Sequence, residues 1–110
     1  MHYLVRIRKE ALIEIQEVVS WYESIKIGLG SIFKINISKY IDQLEIYPFM
    51  YGIRYDDIRC IPLKQFPYMV HYRIIENKKE VQILAVINTH RNPKIWCQKT
   101  KTETHTIVKK

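Results

Sequence analysis

The feature that most restricts this chain is a hydrophobic period that changes twice. Residues 3–8, Tyr-Leu-Val-Arg-Ile-Arg, place Tyr3, Val5 and Ile7 on one side and Leu4, Arg6 and Arg8 on the other, the period-2 pattern of a strand with one buried face. From Lys9 to about Lys26 the spacing becomes three and four. Leu12, Ile15, Val19 and Tyr22, flanked by Ala11 and Val18, make the stripe of an amphipathic helix. Gly28 and Gly30 break it, because glycine accepts the positive φ that a helix end often needs, and Ser31 is placed to help start the next helix. A second stripe follows in Phe33, Ile37, Tyr40, Ile41, Leu44 and Tyr47, and Pro48 sets its stop. The short link predicts two antiparallel neighbouring helices.

After Pro48 the extended pattern returns with Ile53 and Tyr55, an Asp56-Asp57 turn, and a strand from Ile58 to Leu63. Pro62 there argues for an edge or a strand end. Gln65-Phe66-Pro67 makes another turn, Tyr68 to Ile75 alternate again, and Asn77-Lys78-Lys79 closes a hairpin. Its partner, Val81 to about Thr89, is apolar on both faces from Ile83 to Ile87, as a central strand would be. Residues 93–98 predict a helical turn with Pro93 at its first position and Trp96 pinning it to the sheet. The expected fold is therefore α+β: an N-terminal strand, then an antiparallel helical hairpin packed on one face of a curved antiparallel β-sheet. Residues 1–98 read as one domain and 99–110 as a polar C-terminal tail.

Composition narrows the function classes. The longest apolar run, Ile83 to Ile87, is far below the roughly 18 residues of a membrane-spanning segment. A charge at Arg6 precedes any apolar signal segment, so the expected location is the cytoplasm. Cys60 and Cys97 lack CxxC spacing and are expected to be buried free thiols. Net charge is +7, and its distribution is one-sided. Residues 1–53 carry six Lys/Arg and six Asp/Glu, whereas residues 54–110 carry twelve and five. Such a field draws phosphate backbones or an acidic protein partner.

Four segments then carry a family resemblance: Trp21-Tyr22-Glu23, Gly28-Leu29-Gly30-Ser31-Ile32-Phe33, Phe66-Pro67-Tyr68 through Tyr72, and Ala85-Val86-Ile87-Asn88-Thr89-His90-Arg91-Asn92-Pro93-Lys94-Ile95-Trp96. In order and spacing, over about residues 3 to 97, they resemble the RelE/ParE toxin superfamily. The resemblance implies the toxin of a type II toxin-antitoxin pair that inhibits growth, is linked to plasmid stabilisation, and forms a hetero-oligomer with a cognate antitoxin whose C-terminal segment wraps the sheet and helices. It also implies one of two activities. ParE-like members bind DNA gyrase, and RelE-like members are ribosome-dependent mRNA endoribonucleases.

RNA cleavage through a 2′-hydroxyl needs a base, cations for the charged phosphorane and an acid for the leaving oxygen. The residue types that could serve are Arg59, Lys64, His71, Arg73, His90 and Arg91. Arginine is too weak an acid to act as the base, so it would stabilise charge. His90 and Arg91, at the end of the central strand, are the candidate catalytic pair. Arg59, Lys64, Arg73 and Lys94 are candidates for binding a target or nucleic acid. His71, inside a strand, reads more readily as a packed residue than as a proton carrier. Trp96 stands where the RelE-like pattern seeks a terminal acid/base tyrosine, and the Thr-His-Arg-Asn-Pro-Lys-x-Trp run looks more ParE-like. The leading expectation is thus a ParE-like binder of a target such as gyrase. The alternatives are the endoribonuclease, or an inactive member that retains only partner or nucleic-acid binding. No phosphate loop, zinc-spaced Cys/His set, HExxH or nucleophile elbow occurs, so neither metal nor cofactor is expected.

Overall fold

The structure, a computed structural model, describes residues 2–100 apart from the side chains of Cys97 and Gln98. Its elements are β1 (Leu4–Ile7), α1 (Lys9–Ile25), α2 (Leu29–Gln43), β2 (Ile53–Tyr55), β3 (Ile58–Pro62), β4 (Tyr68–Ile75), a 3₁₀ turn (Glu76–Lys78), β5 (Glu80–Asn88) and α3 (Lys94–Thr100). One five-stranded sheet has the order β1-β5-β4-β3-β2. The meander β2 to β5 is antiparallel, but β1 lies parallel to β5, with Val5 opposite Val81 and Ile7 opposite Ile83. The α+β fold with its antiparallel meander is as expected, and the N-terminal strand, whose direction the sequence left open, makes the sheet mixed. Alternation shows which way a side chain faces and carries nothing about strand direction.

The helical hairpin is set by a carboxylate. Glu23, near the end of α1, accepts the backbone N–H of Gly28 at 2.8 Å and of Gly30 at 3.0 Å. It thereby satisfies amide groups that the first turn of α2 leaves without intrahelical partners. Gly28 has φ 93°, and a Cβ on Gly30 would lie 2.5 Å from the Val19 carbonyl oxygen. Both glycines and Glu23 are thus parts of one tight turn, and Ser31, expected to help start α2, is not its cap.

Two clusters fill the two faces of the sheet. On the helix side Ala11, Ile15, Tyr22, Phe33, Ile37 and Ile41 pack on Ile61, Val70, Tyr72, Val81, Ile83 and Val86. On the other side Ile58, Cys60, Met69, Leu84, Ala85 and Ile87 pack under Trp96 of α3. A bulge makes the second cluster possible. His71 pairs with Ala85 and Tyr72 with Ile83, so Leu84 is an extra residue and joins Ala85 on the α3 side.

Leu12, expected on the buried stripe of α1, is instead 43% exposed, and Trp21, beside the buried Tyr22, is 57% exposed. Each sits one residue, about 100° of helix rotation, from the residues that face the sheet, Ala11 and Tyr22. The second helix ends at Gln43, before Pro48, through a tightened turn in which Leu44 donates to Ile41 and Tyr47 to Gln43. Leu44 stays buried, whereas Tyr47 turns out to solvent. At the far end α3 runs to Thr100, two residues into the segment read as a tail, and the rest of that segment lies outside the described residues.

Candidate functional site

The site arises where a strand runs out. β1 pairs only with Glu80 to Ile83, and Arg8 N–H closes that ladder on the Ile83 carbonyl at 2.9 Å. The chain then turns into α1, leaving the later part of β5 without a strand on that side. Glu14 of α1 fills the gap. Its Oε1 accepts the Val86 N–H at 2.9 Å, and its Oε2 pairs with the Lys99 ammonium of α3. The result is a cleft of about 400 Å³ between α1, β5 and α3, lined by Glu14, Glu17, Val18, Tyr68, Asn88, His90, Arg91 and Lys99 among others. Tyr68 belongs to the aromatic cluster of Tyr22, Phe33 and Phe66, whose ring centroids lie 5.0 to 6.4 Å apart, so the wall behind the cleft is rigid core.

His90 and Arg91 stand at the mouth of this cleft on a loop organised by two asparagines. Asn88 Oδ1 accepts the His90 N–H at 2.8 Å, and Asn92 Oδ1 accepts the Lys94 N–H at 2.9 Å, the first turn fixing the loop and the second starting α3. Among the described residues the side chains of His90, Arg91, Lys64 and Lys94 make no ion pair or hydrogen bond, and all four are exposed. A fixed backbone presenting unengaged polar side chains is an arrangement suited to recognition.

The other sequence candidates are not drawn to this point. Arg59 lies on the helix side of the sheet, donating to the Tyr51 carbonyl at 2.7 Å with its guanidinium over the Phe49 ring. Arg73 is clamped by Asp57 through two bonds of 2.7 and 2.9 Å, and that clamp holds the Asp57 carboxyl below the usual carboxylate range. His71 is fully buried on the α3 side. Its pKa is pushed down to about 4, first by burial and then by the charge of Arg54, while burial raises the neighbouring Cys60 thiol to about 11. A thiol held so firmly protonated is a packing group, not a nucleophile. Among the described residues no three His, Cys, Asp or Glu side chains converge as a metal site would require. Sequence reasoning missed Glu14 and Lys99. Their pairing joins α1 to the last turn of α3, and no local pattern announces it.

The model of the ParE toxin of the type II toxin-antitoxin system, parDE, matches residues 5–93. The chain belongs to the ParE toxin family. No curated protein matches it significantly. Solved structures share its fold at low identity. The chromosomal ParDE toxin-antitoxin system of P. aeruginosa aligns at 18% identity and TM-score 0.65, over 81% of this chain and 98% of that one. E. coli toxin RelE in the free state aligns at 19% and 0.68, over 92% and 97%, and the intact E. coli RelBE toxin-antitoxin complex at 23% and 0.57, over 81% and 99%. As a ParE-family chain of the wider ParE/RelE superfamily, it is a type II toxin-antitoxin toxin. The matched region spans Glu14, Glu23, both hairpin glycines, His90 and Arg91, but stops before Lys99.

Proposed function

We propose that this toxin acts by binding its target, DNA gyrase, through the His90–Arg91 loop, and that a cognate antitoxin silences it in the cytoplasm. The observation that carries the reading is the state of the cations. A nuclease site needs basic groups converging on one phosphate, whereas Arg59 and Arg73 are spent on the Tyr51 carbonyl and on Asp57, on opposite faces of the sheet. The cleft beside His90 and Arg91 sets Glu14 and Glu17 against Arg91 and Lys99, so its formal charges balance. A phosphate backbone gains little there, while a protein surface of mixed charge is matched. Unengaged His90 and Arg91 on a fixed loop serve such a docking role without acid-base chemistry.

An antitoxin partner follows from the family and from likeness to toxins solved in complexes with their antitoxins. The basic excess of residues 54–110 favours an acidic wrapping segment.

The test is a gyrase supercoiling assay with purified toxin, run beside ribosome-bound messenger RNA. Inhibited supercoiling with intact message, relieved by the antitoxin, is the expected outcome. Cleaved message with unimpaired supercoiling would replace this reading with the endoribonuclease.

A further inference from the structure

The cleft beside β5 contains two backbone groups that docking through the His90–Arg91 loop leaves unused. Ladder geometry identifies them. Leu63 donates to the Tyr68 carbonyl at 3.0 Å, and Ile61 pairs with Val70, so Tyr68 and Val70 turn their backbone groups toward β3. Their partners in β5, Asn88 and Val86, therefore turn theirs away from β4 and into the notch that β1 leaves when it ends. Two bonds agree with this direction. Val86 N–H donates to Glu14 Oε1 at 2.9 Å, and the Asn88 carbonyl accepts the Arg91 N–H at 3.0 Å. Each residue thus has one group engaged and one left over. The Val86 carbonyl and the Asn88 N–H face the notch, and among the described residues neither finds a partner. Both residues line the cleft of about 400 Å³.

The pair left over selects a strand direction. An antiparallel neighbour exchanges both bonds with a single residue, and neither Val86 nor Asn88 has both groups to offer. A parallel neighbour donates to the residue before its opposite number and accepts from the residue after it. Opposite Ile87 those groups are the Val86 carbonyl and the Asn88 N–H, so the notch fits one residue of a strand running as β1 does. Beyond that residue the slot is closed, because the turn from Asn88 to Arg91 brings the Arg91 backbone onto the same side. A strand entering here has to end.

The charges suit a chain end. Glu14 and Lys99 neutralise each other, whereas Glu17 and Arg91 line the cleft without ion pairs among the described residues. Arg91 follows the closing turn, where a terminal carboxylate would lie. The residue before the last falls opposite Val86 and points to the helix side of the sheet, where α1 carries Glu17.

We propose that this notch captures the C-terminal end of an extended peptide from a partner protein. The last residue bridges Val86 and Asn88 as a parallel strand, its carboxylate bonds the Asn88 N–H and pairs with Arg91, and a Lys or Arg before it pairs with Glu17. Main-chain bonds supply the register and the two charges supply the selectivity. The proposal does not rest on the gyrase reading, because peptide capture is measured with no target present.

The test is fluorescence anisotropy of the full chain with the peptide Gly-Ser-Thr-Val-Lys-Val, labelled with fluorescein at its N-terminus. The free-acid peptide should bind saturably, and its C-terminal amide about tenfold or more weaker. N-methylation of the last residue removes the N–H directed at Val86 and should also cost about tenfold. The same methyl group on the penultimate residue, whose N–H points away from β5, should cost little. Replacing the penultimate lysine with glutamate should weaken binding about threefold or more. These comparisons vary the peptide alone, so they hold whether or not a protein variant folds. Arg91→Ala should then remove the preference for acid over amide. No binding at about 1 mM protein, indifference to the terminal carboxylate or to the penultimate charge, or a methyl group tolerated on the last residue and not on the one before it overturns the proposal.

Discussion

The two faces of one sheet are built on different principles. On the helix side the core is apolar and aromatic, its buried Tyr72 hydroxyl donates to the Pro48 carbonyl at 2.7 Å, and the one buried side-chain atom without a partner among the described residues there is Asn36 Oδ1 on α2, at the margin of that core. On the α3 side His71 Nε2 and Trp96 Nε1 are buried without partners, and the polar chain of Cys60, His71, Tyr55 and Thr100 threads the packing. A buried polar atom without a partner costs about 1–3 kcal/mol. The helix side accordingly carries the stability of the fold, while the α3 side gives some of it up. Neither face holds the His90–Arg91 loop, which projects from the end of β5 at the margin between them.

The largest expected effect comes from emptying the stable face. Phe33 is fully buried against Tyr22, Phe66 and Tyr68, so Phe33→Ala should cost about 3–5 kcal/mol, read as a fall in the urea midpoint at unchanged slope. A loss near 1 kcal/mol would show that the aromatic cluster is looser than its geometry and that the contrast between the faces is false.

The α3 side should reveal itself through pH. His71 has its pKa lowered from 6.5 to about 4 in the folded chain. Between those values the unfolded chain binds the extra proton, so stability rises with pH through this window. The contribution of neutral His71 is fully present above pH 6.5 and lost as pH falls toward 4. Its size is at most roughly 3 kcal/mol. Denaturant titrations at pH 7, 5.5 and 4.5 measure the slope, and His71→Phe should flatten it over that range. A parent chain whose stability is level across the window would mean that His71 is not held neutral by the packing under α3.

A smaller effect tests the orphaned indole. Trp96→Phe keeps an aromatic ring over His71 and removes a buried donor that has no acceptor. The loss of apolar area and the relief of the unsatisfied N–H oppose each other, so the change should stay within about 1 kcal/mol in either direction. Trp96→Phe at 3 kcal/mol or more would require that Nε1 is well bonded, and the α3 side would no longer be the costly face.

How much of this was legible follows from the range of each interaction. The helices, the meander and the interior character of β5 come from local periodicity, which a short window of sequence contains, although β4 and not β5 is the middle strand. The parallel direction of β1, the bulge at Leu84 and the exposure of Trp21 depend on what a distant element presents, and no window holds them. The resemblance segments divide in the same way. Trp21-Tyr22-Glu23 and Gly28-Leu29-Gly30 look like a signature, yet in the structure they are one structural turn, with Glu23 bonded to both glycines. Phe66-Pro67-Tyr68 likewise feeds the aromatic core. Of the candidate cations, Arg59 and Arg73 were identical to Arg91 as letters, and only their partners, Tyr51 and Asp57, distinguish them.

That distinction sets the last and smallest expected effect on stability. The Arg91 side chain is exposed and makes no hydrogen bond or ion pair among the described residues, so Arg91→Ala should move the unfolding free energy by no more than about 0.5 kcal/mol. If the loop docks on a target, the same substitution should lower inhibition of supercoiling by about tenfold or more, the scale of losing one well-placed interface arginine. Arg73→Ala gives the contrasting control. It releases Asp57 from its clamp and should cost up to roughly 1 kcal/mol of stability, while leaving inhibition by the folded fraction intact. Equal inhibition by the Arg91→Ala and parent proteins would remove the loop from the target interface, whatever the family. A loss at Arg73 and none at Arg91 would move the interface to the sheet face that α3 covers.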